Sequence, residues 1–287
     1  MDAISRLICD ELKLRVYTAT STGIVKKLCK IHNTSPTASR ALGGAINAAL
    51  LAGASLKPGS AQSISVKFSG NGPLQSVQAQ VDAKGNVRGY VSNPDIDELT
   101  FSKAIGAGFL SIERDLNLKK PYTSLLPLVY GNIAADMSYF FTSSEQIPSA
   151  MILALEMNDK EITASGGILI QTFPDTPESS IALAENSIQN MKKSLGQSLF
   201  EGADIAGIAS SLLGNFPLTE AGKTEIQLRC RCSKDMLTET IKGFHREEIT
   251  QMIEEDRGAE IVCSFCKNIY RFNEDELTEI MNKKPTH

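Results

Sequence analysis

The 287-residue chain carries 33 acidic and 29 basic residues, a formal net charge of −4, and is 42% hydrophobic and 22% charged. Enough apolar material is present for a sizeable core in one large domain or two unequal ones. The acidic balance argues against a dedicated nucleic-acid binder, which needs a basic excess to neutralise phosphates.

The opening MDAISRLICDELKL puts acids and Arg6 where a secretory signal needs an apolar stretch, so none is expected there. LKLRVYTAT (12–20) reads as a strand, because Val16, Tyr17 and Thr18 favour extended backbone. In TGIVKKLCKIH (22–32), Ile24, Val25, Leu28, Cys29 and His32 share one helical face. Ser35 before Pro36 reads as an N-cap with proline in the first helical position. The alanine-rich run that follows (38–57) contains Arg40, Asn47 and two adjacent glycines, which marks a buried helix rather than a membrane span. SISVKFS (63–69), SVQAQVDA (76–83) and VRGYV (87–91) alternate with period two and are joined by the turns GNGPL and KGN, a three-stranded meander. Further strands are expected at 108–116 and within 166–174, completing a mixed sheet-and-helix α+β domain over 1–177.

The pattern then turns helical. In IALAENSIQNMKKSLGQSLF (181–200), Ile181, Ala184, Ile188, Met191 and Leu195 form one stripe, and 205–216 continues it to a break at Pro217. Residues 178–226 are expected as a helical linker whose stripe needs a partner surface. From Glu220 the density of charge rises, a compositional boundary that introduces a small C-terminal module over 227–287.

That module is legible in detail. Ser233 caps a short helix, KDMLTETIK, stopped by Gly243. HREEITQMIEED carries Ile249, Met252 and Ile253 on one face and stops at Gly258. AEIVC and IYRF read as short strands, and Asn273 with Glu276 forms a capping box for a last helix. Four of the six cysteines lie here, Cys230 and Cys232 as Cys-x-Cys and Cys263 and Cys266 as Cys-x-x-Cys in the turn between the strands. So small a unit has too few large apolar groups to stabilise itself without a staple. Four thiolates in paired half-sites suit tetrahedral zinc. In the reducing cytoplasm, where we place the chain, clustered cysteines point to metal or redox chemistry rather than structural disulfides. A purely structural zinc site is the plainer reading. Both pairs are also near enough in sequence to close into disulfides, and zinc-bound sulfur stays nucleophilic toward oxidants. Zinc binding in small modules supplies on the order of 10–16 kcal/mol of folding energy, so oxidative loss of the metal is expected to unfold the tail.

The other candidates are plainer. Cys9 and Cys29 read as small core residues. His32, His245 and His287 are widely spaced, and His245, inside the module, is the one candidate to replace a cysteine ligand. The glycines of 70–73 and 165–167 serve turns, and the acid clusters of 246–256 form a solvated helix face. No nucleophile elbow or HExxH appears, and nothing proposes catalysis.

Together, Cys-x-Cys-Ser at 230–233 and VCSFCKNIYRF at 262–272, preceded in order by HNTSPTASRALGGA, KGNVRGYVSNP, SSEQIPSA and GGILIQTFP, resemble the 33-kilodalton heat-shock protein family of bacterial redox-regulated chaperones over nearly the whole chain. The resemblance implies one zinc ion held by Cys230, Cys232, Cys263 and Cys266 in a reduced, inactive form. It also implies oxidation to disulfides Cys230–Cys232 and Cys263–Cys266 with loss of zinc and disordering of the linker. The activated homodimer would hold unfolding client proteins without ATP and pass them to ATP-dependent chaperones, with no nucleic-acid or membrane partner. Departures from the family pattern fall at Gly44, at Leu228 and Arg229, and at Asp235 and Met236. Two other readings remain open here: a zinc-ribbon nucleic-acid or translation-associated module, and a thiol oxidoreductase using Cys263 and Cys266.

Overall fold

Alternating and helical patterns become, in chain order, strands β1 (Ala3–Cys9) and β2 (Leu14–Thr20), helices α1 (Thr22–His32) and α2 (Pro36–Gly53), and the meander β3 (Ser63–Gly70), β4 (Ser76–Asp82) and β5 (Asn86–Val91). After α3 (Phe101–Ile105) come β6 (Gly108–Asp115), β7 (Tyr122–Pro127), α4 (Ile133–Ser143), β8 (Ser149–Asn158) and β9 (Glu161–Thr172). Helices α5 (Glu178–Gln189), α6 (Leu195–Phe200) and α7 (Ile205–Leu212), then β10 (Thr219–Glu225) and β11 (Gln227–Leu228), complete one compact unit, Met1–Arg229. A second, Cys230–His287, contains α8 (Lys234–Lys242), α9 (Arg246–Glu254), β12 (Gly258–Val262), β13 (Ile269–Asn273) and α10 (Glu274–Asn282). This computed structural model describes residues 1–97 and 99–283, so His287 lies outside the described residues. The architecture is α+β, as expected.

The first unit has two sheets, ordered β10-β1-β2-β9-β8 and β11-β5-β4-β3-β6-β7, antiparallel throughout except for β11 against β5. Helix α2 packs against strands of both. Ser35 caps it, its Oγ accepting from Ala38 N–H at 3.2 Å, and 15 of its 18 residues are buried. Leu42, Ile46, Leu50 and Leu51 meet Ile64, Val66 and Phe68 of β3, Val77 of β4 and Leu169 of β9. Burial on every side is why the run is apolar all round. Among the described residues no helix is long and apolar enough to cross a membrane.

A cluster of polar groups, Asn47 with Ser21 and Ser165, is buried with this core. Asn47 is fully buried; its Nδ2 donates to Ser165 Oγ at 3.0 Å and Ala154 O at 3.3 Å, and its Oδ1 accepts from Ser21 Oγ at 2.6 Å. The amide thereby ties α2 to the end of β2 and to strands β8 and β9. Asn47→Ala is expected to cost about 1–3 kcal/mol for each group left unsatisfied, read as a lowered urea midpoint at unchanged slope.

The amphipathic stripe finds its partner surface within the same unit. Ala184, Leu195, Ile205, Ala209 and Leu212 cover Leu7, Leu14, Val16, Ile168 and Ile170 on one face of the five-stranded sheet. Alternate residues Tyr17, Ala19 and Leu169 face the α2 side. A sheet covered on both faces reads as a nearly continuous apolar run, as in GGILI. The stripe is not one helix, however. Residues 190–194 leave it, where Asn190 Nδ2 turns back onto Asn186 O at 2.8 Å and Ser194 Oγ restarts the helix by accepting from Gln197 N–H at 3.0 Å. The rise in charge at Glu220 falls inside β10, which pairs with β1 as an exposed strand of the first unit. The division between the units comes after Arg229.

Candidate metal centre

The second unit has a small core: Ile241, Ile249, Phe272, Leu277 and Ile280 are buried, with Leu237, Phe244, Met252, Tyr270 and others packed at their edge. Local signals set its helices. Ser233 Oγ accepts from Met236 N–H at 3.1 Å and starts α8. Asn273 Oδ1 accepts from Glu276 N–H at 2.9 Å, while Glu276 Oε2 accepts from Asn273 N–H at 3.0 Å, the expected capping box of α10. Glu276 also pairs with Lys234, whose ammonium lies 5.0 Å from the Phe272 ring centroid. The start of α8, two residues beyond Cys232, is thereby anchored to α10.

The other half-site is a hairpin turn. The β12–β13 ladder ends at Val262 opposite Ile269. Beyond it Cys263 N–H donates to Asn268 O and Lys267 N–H donates to Cys263 O, both at 2.9 Å. Lys267 closes the turn in the left-handed region, φ 60°. The turn carries both Cys263 and Cys266.

Four sulfurs converge. Cys230 Sγ lies 3.7 Å from Cys263 Sγ, Cys232 Sγ lies 3.3 Å from Cys266 Sγ, and all four lie within 4.8 Å of one another. All are half-buried free thiols. Burial opposes ionisation of Cys230, but hydrogen bonds from the Cys232 backbone and the neighbouring thiols outweigh it and bring its pKa down to about 7. Burial first, and then the three neighbouring thiols, push Cys266 up; Cys232 is also pushed up, by burial and then by Cys230 and Cys263, against the lowering hydrogen bonds of Tyr270 and Cys266. Crowded thiols thus resist becoming four thiolates together unless a cation supplies the compensating charge. The four residues singled out in the sequence could together hold a metal ion.

The remaining candidates are not members of this group. Cys9 and Cys29 are buried in two different core clusters of the first unit, and burial raises both thiol pKa values, which makes them inert. His32 is buried with Nε2 3.1 Å from Gly89 O. His245 is exposed and begins α9, its N–H donating to Glu248 Oε2 at 2.6 Å, and it is not in the metal-holding group. Glu247 and Glu248 line the exposed first turn of that helix.

One residue at the centre was not singled out from the sequence. Tyr270 Oη donates to Cys232 Sγ at 3.1 Å and to Cys232 O at 3.2 Å. Donation to Cys232 pushes the Tyr270 pKa up to about 12. The signal was present in IYRFN: period two puts Tyr270 on the face of Phe272, and a tyrosine turned inward needs a partner for its hydroxyl.

Known proteins resemble this chain over nearly its whole length. The family model described as Hsp33 protein matches residues 2–273. A 33 kDa chaperonin of Oceanobacillus iheyensis is 38% identical over 288 residues, covering 97% of this chain and 99% of that protein. One from a Synechococcus species is 37% identical, covering 98% and 90%. The crystal structure of a 33 kDa chaperonin (heat shock protein 33 homolog) from Thermotoga maritima superposes with a TM-score of 0.89 at 29% identity, covering 98% of both chains. With the family model matched over residues 2–273, relatives matched over nearly the whole chain and the architecture shared, this chain belongs to the Hsp33 family.

Proposed function

We propose that this chain is a redox-regulated, ATP-independent cytoplasmic chaperone, not an enzyme, that holds unfolding client proteins and is switched by its four clustered cysteines. Membership of a family whose relatives are named 33 kDa chaperonin supports the chaperone function. The observation that carries the switch is the convergence of four sulfurs in a unit with only a small buried core of its own.

The donor set fits zinc. Four sulfurs at about 2.3 Å from one ion stand about 3.8 Å apart, and the separations of 3.7 and 3.3 Å, with all four sulfurs inside 4.8 Å, lie near that spacing. When bound, zinc keeps Cys230, Cys232, Cys263 and Cys266 as thiolates and adds its binding energy to the unit's folding. Each pair of thiolates, Cys230 with Cys232 and Cys263 with Cys266, gives two electrons to one peroxide. The peroxide takes up two protons from solvent and leaves as two waters, and one S–S bond forms per pair. Disulfide sulfurs no longer carry the charge that holds a cation, so the unit loses its staple. Ile241, Ile249, Phe272 and Leu277, buried in the folded unit, then become available to non-native clients. The activated form acts as a homodimer and passes clients to ATP-dependent chaperones.

Light scattering from a thermally aggregating client tests this. Peroxide-treated protein is expected to suppress aggregation at near-stoichiometric ratio, and zinc-loaded reduced protein to leave it nearly unchanged. Equal suppression by the two forms would sink the reading.

A further inference from the structure

The four sulfurs are not equivalent. Among the described residues, the one side-chain hydroxyl recorded as bonded to any of them is Tyr270 Oη, which shares its single proton between Sγ and O of Cys232. Tyr270 lies on β13, the strand that leaves the Cys263–Cys266 turn, and its ring packs at the edge of the small core beside Phe272. Cys232 comes from the other half-site, just before α8. The hydroxyl therefore bridges the two half-sites without passing through a metal ion. At the opposite end of the same short segment, the Lys234–Glu276 pair holds the first residue of α8. Cys232 is thus tied on both sides, once by charge and once by the phenol.

A hydrogen bond donated to a thiolate draws charge from the sulfur lone pair that attacks electrophiles and oxidants. It also restricts the rotation that would bring the sulfur to a new partner. We propose that Tyr270 is a positioning residue of the metal centre, its hydroxyl holding the Cys232 sulfur in place and damping that sulfur's reactivity. The inference rests on the reading of the four cysteines as a metal site and adds to it a residue that touches no metal. Loss of the hydroxyl leaves the ring's packing intact, so its chemical effect falls on Cys232 alone.

The test uses the full reduced chain loaded with cobalt(II), whose thiolate-to-metal absorption reports sulfur electron density, and the zinc-loaded chain for reactivity. In Tyr270→Phe the near-ultraviolet charge-transfer band is expected at longer wavelength, with the visible tetrahedral bands unmoved. Alkylation of Cys232 by N-ethylmaleimide, mapped by mass spectrometry, is expected to accelerate about three- to tenfold, the scale of one lost hydrogen bond. Cys230, Cys263 and Cys266 are expected to stay within about twofold of their original rates, since their sulfurs keep their partners. Placing 3-fluorotyrosine at position 270, a stronger donor with the same ring, should move both readouts the opposite way.

An unchanged band and unchanged Cys232 rate in Tyr270→Phe overturn the inference, as does equal acceleration of all four cysteines, which would mark a structural prop. If Tyr270→Phe fails to hold metal, the 3-fluorotyrosine protein decides between the same two outcomes. Absence of thiolate-to-cobalt bands in the unaltered protein overturns the metal reading itself, and the inference with it.

Discussion

Removing the metal from the reduced chain with a chelator, or oxidising it with peroxide, is expected to unfold residues 230–283 while the α2 core and the meander of the first unit stay folded. Among the described residues the second unit buries only five apolar side chains, from three short helices and one hairpin. Its exposed ion pairs, such as Arg271 with Glu260 and Lys283 with Glu279, contribute little each. Against these weak terms, zinc bound by the four thiolates would supply on the order of 10–16 kcal/mol, so the metal is expected to decide whether the unit folds. Hydrogen exchange read by mass spectrometry should show protection lost across α8–α10 and the β12–β13 hairpin and retained in α2 and the meander. Cys232→Ser should reproduce this pattern without any oxidant, with zinc content well below one per chain. Protection beyond Cys230 that survives complete zinc removal would show the small core to be sufficient, and the proposed switch would have no moving part.

Phe68→Ala should do the reverse. Phe68 is fully buried on β3, in the core that α2 shares with the meander, and meets Phe101 edge-on with ring centroids 5.7 Å apart. Truncation removes the ring's transfer energy and leaves a cavity, together about 3–5 kcal/mol, a large part of a typical total of about 5–15 kcal/mol. For a unit of this size the thermal midpoint should fall by roughly 10 °C. Zinc stoichiometry and the peroxide reactivity of the four cysteines should be unchanged, because the second unit's core shares no residue with the first's. Calorimetry alongside zinc quantification checks both halves of the expectation. Loss of zinc in Phe68→Ala would mean that the second unit draws its stability from the first.

Helices α1 and α2, the β3–β5 meander and the capped helices of the second unit were legible because their signals are local. A stripe, an alternation or a cap is complete within one or two turns or strands, and tertiary packing had only to agree with it. Strands β1, β7, β8 and β10 and helix α4 were not legible. β1 finds its partners in β2 and in β10, with Ala3 opposite Glu225, and a charged, exposed segment such as β10 becomes a strand only because that edge is there to pair with. The break at residues 190–194 was hidden for a related reason. Helical spacing ran through it, while the side-chain hydrogen bonds of Asn190 and Ser194 ended one helix and began the next.

At the candidate metal centre, sequence alone determined which residue types could do the chemistry: two pairs of cysteines, spaced as half-sites, in a small module. Only the tertiary structure decided that sulfurs 33 and 34 residues apart meet, that a tyrosine hydroxyl reaches one of them, on Cys232, and that the amphipathic stripe is covered by the five-stranded sheet. The identity and spacing of donors are written along the chain. Their convergence is a property of folded space, set by hairpin closure, helix caps and one small core acting together.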